Sequence, residues 1–356
     1  MQLPQFEKWS LLAALRFLLA SIVAFDHLRE YVPIGAWSLI PKFGAFEAVL
    51  GFLLISGYSI GASFIKVPDG FLIRRVKRIY PVYLASIVLA YVVFVMEHGS
   101  HPPVLALLAN VLFLNQIVTA TSFVGPAWSL ALEFWLYSLT PLFFTLKDST
   151  LRKLVFVSFG CYVAYTCGRT LFHLDYYAGL GYGANLLLLA FIWLAGLRLA
   201  RNLQNPVPVL KDIALIFTVH ILLAAAIQFG WRWKHGGVPD FFTHDVFDNL
   251  LQACTLALVL WAFVRLARRP IQNARASAVL RLLGDISYPL YLVHMSVYFL
   301  LKQTGLRSPI LFYASAVAVS FVIYWVLDFY SQRRHLRPAA TAGGSRLATG
   351  VPRGES

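Results

Sequence analysis

The amino-acid sequence predicts an all-α, polytopic transmembrane bundle of about ten spanning helices plus one re-entrant or short embedded helix. Three observations carry this expectation. Of the 356 residues 59% are hydrophobic and only 13% are charged, a balance that a soluble core does not need. Apolar runs of about 17 to 25 residues recur along the chain, each close to the length that crosses a hydrocarbon layer of about 30 Å. Lys and Arg gather between the runs, at 66–78, 147–153, 198–211, 265–281 and after 331, as short cytosolic loops do.

The first run, about 10–30, contains Arg16 and leads directly into further apolar segments, so it reads as an uncleaved span and not as a signal peptide. Others follow at about 44–65, 80–96, 102–118, 126–146, 154–170, 180–200, 212–230, 246–264, 286–301 and 309–330. If all of them crossed, the basic clusters at 66–78 and 147–153 would face opposite sides, so one run stops short. The segment 102–118 fits best: it opens on His101, Pro102 and Pro103, holds Asn110, Asn115 and Gln116, and leads into the polar loop 119–125. Ten crossings then put both termini in the cytosol, with 22 of the 30 Lys and Arg residues on that side, seven outside and Arg16 in the membrane. Residues 1–330 make one membrane domain, and 331–356, rich in Arg, Ala, Gly, Thr and Pro, read as a disordered cytosolic tail.

The net charge of +14 needs no nucleic-acid partner, because basic loops facing anionic membrane lipids account for most of it. Cys161, Cys167 and Cys254 lie in expected helices without metal-ligand spacing; they read as core packing residues, and no metal site is expected.

The polar residues inside the apolar runs carry the functional information, since each costs desolvation energy. Arg16 and His27 are eleven residues apart on the first span, hence about 20° apart around a helix and about 16 Å apart along it. Snorkelling at both ends of the span is the alternative reading. In FLIRRVKRIYPVYL, Arg75 and Arg78 are three apart and direct two guanidinium forks to one side, which suits phosphate oxygens; ordinary positive-inside anchoring is the alternative. Pro81 is expected to set the start of that helix. In GPAWSLALEFWLYSLTPLFF, Ser129, Glu133 and Tyr137 recur every four residues and line one face, and Glu133 needs a partner that Arg16 or His27 could supply. A structural Glu–Arg clasp is the alternative there. In LGDISYPLYLVHMSVYFL, Tyr291 and His294 share a face, while Ser287 and Tyr288 precede them; interfacial aromatics are the alternative. Glu47 reads either as a further site carboxylate or as a boundary residue. Trp37, Trp231 and Trp233 read as interfacial belt residues.

In combination these motifs resemble the acyltransferase 3 family of membrane acyltransferases, over about residues 9–330. Arg16 and His27 match its Arg and His separated by ten residues, GFLLISGYSI its second-span motif, Arg75 and Arg78 with Ile79-Tyr80-Pro81 its RxxR-IYP, Trp128, Ser129, Leu130 and Glu133 its WSL with a following Glu, and Ser287 to His294 its late SYxLYLxH. The second-span motif departs by one conservative Phe-to-Leu difference.

The resemblance implies acetyl-CoA or another acyl-CoA as cytosolic donor substrate, no bound cofactor, and an acceptor hydroxyl on a carbohydrate or glycolipid. It implies His27, Arg16 and Glu133 as catalytic residues, Arg75 and Arg78 as donor-binding residues, and Trp128, Ser129, Ser287, Tyr288, Tyr291 and His294 in support. His27 is expected as general base or transient acyl carrier, Arg16 as stabiliser of the thioester oxyanion, and Glu133 as the group that orients His27 or neutralises Arg16. Asp26 points about 100° away from His27 and is not its expected partner. The competing class is a transporter or flippase with Arg16, His27 and Glu133 as a proton or anion path. The expected location is the inner (cytoplasmic) membrane.

Overall fold

The computed structural model describes residues 8–266 and 274–329, so the tail expected at 331–356 lies outside the described residues. The described chain folds entirely into helices and turns: α1 (Lys8–Leu28), α2 (Ala45–Lys66), α3 (Phe71–His98), α4 (Val104–Val111), α5 (Trp128–Thr145), α6 (Asp148–Phe172), α7 (Ala184–Arg201), α8 (Val207–Lys234), the single turn α9 (Val238–Asp240), α10 (Val246–Leu266), α11 (Ala274–Lys302) and α12 (Pro309–Ile323). Eight stretches are long and apolar enough to cross a membrane, namely α1, α2, α3, α6, α7, α8, α9 running into α10, and α12. Helices α5 and α11, of 18 and 29 residues, have the length but carry the polar site motifs. Large side chains on the outside are apolar, among them Val88, Leu222 and Val322, each more than half exposed, as lipid contact requires. The protein is a polytopic helical membrane protein.

The long helices alternate in direction. One end of the bundle, here the terminal face, holds the start of α1, the turn 67–70 and the turn 202–206; the far face holds 29–44, 99–127, 173–183 and 303–308. Helix α4 has eight residues, about 12 Å, and cannot cross. The polar residues of that segment knit its broken backbone together. Asn110 donates to the carbonyls of Ala106 and Thr121 and accepts from the Phe123 amide, and Gln116 donates to the carbonyls of Ala120 and Ala178.

Two expectations need correction. Pro81 does not start α3 but lies inside it, ten residues after Phe71; the helix begins behind Gly70, whose φ of 62° stops the preceding turn, and its charged first turns had hidden it from an apolar-run reading. Of the three cysteines expected in the core, Cys161 is half-buried and packs against it, Cys167 is half-buried, and Cys254 is exposed.

Small residues set the helix spacing. Helix α2 packs most extensively on α7, and α1 on α11. At the first contact Gly57 and Gly61 of α2 face Gly196 and Ala200 of α7: a Cβ on Gly57 would stand 1.9 Å from the Trp193 carbonyl oxygen, and one on Gly196 2.2 Å from that of Leu54. At the second, a Cβ on Gly284 would stand 2.3 Å from that of Ala13. Near the terminal face, buried Arg198 of α7 is neutralised by Asp148 and Asp212, both at 2.9 Å, which ties α6, α7 and α8 together.

Candidate active site

Helices α1, α2, α5 and α11, with the first turns of α3, bring the polar side chains into one file between the two faces. At its terminal end Arg75 is half-buried beside the Phe71 ring, 5.8 Å from its centroid, and Arg78 is exposed with Asp285 of α11 at 4.0 Å. Arg74 turns back onto the carbonyls of Val67 and Asp69, which leaves Arg75 and Arg78 as the forward pair. Tyr288 donates to the Ile79 carbonyl at 3.0 Å and fixes α11 against α3.

Deeper in, Arg16 donates to Ser59 of α2 at 2.9 Å. Glu133 accepts from Ser56 at 3.0 Å and from Tyr137, whose hydroxyl is itself 2.9 Å from that of Ser56. Arg16 and Arg75 are near enough for their charges to act on this cluster. Among the described residues, however, no arginine or histidine nitrogen comes within 4.0 Å of the Glu133 carboxylate. The next layer pairs the hydroxyls of Ser129 and Tyr291 at 2.8 Å, with both close to the Pro126 carbonyl and Tyr291 packed on Phe52. Trp128 is buried beside them. Ser287 donates to the Gly284 carbonyl of its own helix at 2.6 Å, so it supports α11.

Toward the far face His27 meets His294. Nδ1 of His27 is 2.9 Å from Nε2 of His294, and the rings are 12° from parallel. His294 is fully buried, with its Nδ1 2.9 Å from the Leu290 carbonyl. This network assigns the tautomers of two neutral rings. A carbonyl only accepts, so His294 Nδ1 holds a proton and its Nε2 a lone pair; His27 Nδ1 is then the donor, and the lone pair of His27 sits on Nε2. That nitrogen has no hydrogen-bond partner among the described residues, and His27 is only half-buried. Asp26 pairs with Arg29 at 3.0 Å and leaves the imidazole alone.

One expected role changes. Glu133 does not orient His27, because its bonds go to Ser56 and Tyr137 while His294 holds His27. Arg16 bonds to Ser59, about 16 Å from His27 along α1.

A second buried group lies at the far side, joining Glu47, which the sequence singled out, to His220 and Tyr162, which it did not. Glu47 is 3.0 Å from Nε2 of His220, whose Nδ1 is 2.8 Å from the Tyr162 hydroxyl, and Phe46 packs on Tyr162, Tyr177 and His220. Glu47 is therefore buried and bonded inside the bundle and is no boundary residue. A lone His in an apolar run gives the sequence no sign of such a partner. Ser56 and Ser59 were also passed over, although they are three residues apart in the second-span motif and so on one face.

The acyltransferase domain that defines the acyltransferase 3 family matches residues 11–329. The chain belongs to the acyltransferase 3 family. A relative in Acidianus two-tailed virus, named "Putative acetyltransferase ORF330", is 25% identical over 315 residues, covering 83% of this chain and 85% of its own. No solved structure matches. This acyltransferase 3 chain is thus a membrane acyltransferase, and its polar file lies within the matched domain.

Proposed function

We propose that this enzyme transfers an acyl group, acetyl as in the name of the viral relative, from acyl-CoA at a cytosolic terminal face to a hydroxyl of a sugar or glycolipid at the far face. The setting is surface-polysaccharide modification at the inner membrane, with both termini cytosolic, as the Lys and Arg distribution favours. The observation that carries the reading is the single open nitrogen of the His27–His294 pair, at the opposite end of the polar file from the Arg75–Arg78 fork.

Arg75 and Arg78 bind the CoA phosphates, and the pantetheine arm runs inward past Arg16 and Ser59, which hydrogen-bond to it. Nε2 of His27 takes the proton of the acceptor hydroxyl as its oxygen attacks the thioester carbonyl. The carbon–sulfur bond then breaks, and the proton passes from His27 to the CoA sulfur, so the enzyme returns to its starting state. Such base catalysis contributes about 10² to 10⁴-fold. In this scheme the Ser129 and Tyr291 hydroxyls, one turn from His294, exchange their bonds to each other and to the Pro126 carbonyl for bonds to the oxyanion. CoA is a substrate in this scheme, and no resident cofactor or metal takes part.

The test compares masses of surface glycans and glycolipids from cells with the intact gene, a deletion, and His27→Ala. Loss of one acetyl mass in both defective strains supports the reading; identical glycans in all three defeat it. The file of buried charged residues also suits a transporter. Release of CoA thiol in proportion to acceptor, with no solute accumulating in vesicles, decides against that alternative.

A further inference from the structure

Seven Lys and Arg residues lie toward the far face: Arg29, Lys42, Arg169, Arg232, Lys234, Lys302 and Arg307. Arg29, Lys42 and Arg232 each hold a carboxylate, from Asp26, Asp248 and Asp245, at 3.0, 2.8 and 2.8 Å. Lys234, Lys302 and Arg307 are exposed, so water satisfies them. Arg169, in the last turn of α6, differs from both groups. It is half-buried, no carboxylate oxygen among the described residues comes within 4.0 Å, and its Nε is screened from solvent without a hydrogen-bond partner. A cation placed this way has lost part of its hydration and has no carboxylate beside it in return.

Its surroundings are aromatic. The guanidinium lies 5.2 Å from the ring centroid of Tyr176 and 5.9 Å from that of Tyr177. Burial raises the Tyr177 phenol above its ordinary range, and a phenol is protonated at neutral pH in any case, so neither ring brings a negative charge. Asp175 precedes them, but it enters this corner through its backbone carbonyl, which accepts from Tyr165 at 2.8 Å. Arg169 also faces inward rather than toward lipid: Tyr177 is buried, stacks on Phe46 at 5.1 Å, and its carbonyl accepts from Asn185. Tyr176 is 45% exposed and offers a free part of its ring. It is close enough to Tyr291 for their charges to act on each other, and Tyr291 shares a face of α11 with His294. The Arg169 corner thus lies on the side of the far face toward the stretch of α11 that carries Tyr291 and His294.

We propose that Arg169 and Tyr176 form a subsite for an anionic sugar of the acceptor glycan, with the guanidinium taking the carboxylate and the exposed Tyr176 ring packing on the pyranose. Apolar CH groups on one face of a pyranose match an aromatic ring, and the planar guanidinium fork matches a carboxylate. The inference rests on the glycan acceptor proposed above and narrows it to acidic glycans.

The test uses the full chain in phosphatidylcholine nanodiscs without CoA, with trigalacturonate and its uncharged methyl ester as probes. The wild type should bind the acid about tenfold more tightly than the ester, as one charge-assisted pair provides. Arg169→Gln should abolish that preference, Arg169→Lys should keep part of it, and Tyr176→Ala should weaken both ligands. Equal wild-type affinities, no binding of trigalacturonate, or an unchanged preference in Arg169→Gln overturns the proposal. Native mass spectrometry in discs containing phosphatidylglycerol covers the other source of anionic oxygens: if Arg169→Gln loses bound lipid while the wild type shows no acid preference, Arg169 is a headgroup anchor and the subsite is refuted. Because binding is read without donor, an enzyme that keeps the preference but never releases CoA thiol leaves the subsite standing and refutes acyl transfer.

Discussion

At the scale of single residues, the His27–His294 pair leaves one imidazole nitrogen without a partner among the described residues, and the proposed chemistry rests on it. His294→Asn should lower kcat with little change in KM for either substrate, because an amide cannot hold the imidazole as a buried ring does; a change confined to KM would show that His294 binds substrate instead. His27→Ala should lose about 10² to 10⁴-fold in rate while the protein stays folded in the membrane. The rate should also fall on the acid side as His27 takes a proton and ceases to be a base, with the sign checked by a kcat–pH profile. Arg16, His27, Glu133 and His294 were legible in the sequence because each interrupts an apolar run, where ionisable groups are expensive. Their partners were not legible. His27 and His294 are 267 positions apart, and helical periodicity gives the face of one helix without naming the helix it meets. Glu133 was expected to seek a charge and found two hydroxyls. Removing one of these, as in Tyr137→Phe, should cost about 1–3 kcal/mol of stability if the carboxylate is left short of a donor, read as a lower unfolding midpoint in detergent.

Between helices, the decisive contact is α2 on α7, where backbones meet through glycine. Gly57→Leu or Gly196→Leu should force these helices apart and lower the unfolding midpoint strongly, visible in the fluorescence of buried Trp193. Gly160→Ala, where a Cβ meets nothing within 4 Å, is the neutral control. The small-residue spacing Gly57–Gly61 was present in the sequence, but it identifies a close contact only once a partner with Gly196 and Ala200 is known. Helix α4 was readable because a mismatch in charge distribution required a short segment somewhere and 102–118 carried the breakers. The true start of α3 was not, since its first turns are charged and resemble a loop to any reading based on apolar length.

For the molecule as a whole, the long helices place the described turns 67–70 and 202–206 on the terminal face and 29–44, 99–127, 173–183 and 303–308 on the far face. In a variant lacking its three natural cysteines, Trp37→Cys should react with an impermeant maleimide added outside intact cells, and Asp69→Cys should react only after the membrane is opened. The reverse pattern would invert the proposed orientation. An enzyme reached from both sides, as proposed, also has to avoid becoming a hole. Between Arg16 and His27 lies the layer of Phe52, Ser129 and Tyr291, in which the two hydroxyls are bonded to each other and close to the Pro126 carbonyl. Their hydrogens are taken up within this trio, with none directed to the next layer. The consequence is bioenergetic: the wild-type enzyme should hold a proton gradient in an energised membrane, and Phe52→Ala proteoliposomes should acidify faster than wild-type ones under an imposed pH difference.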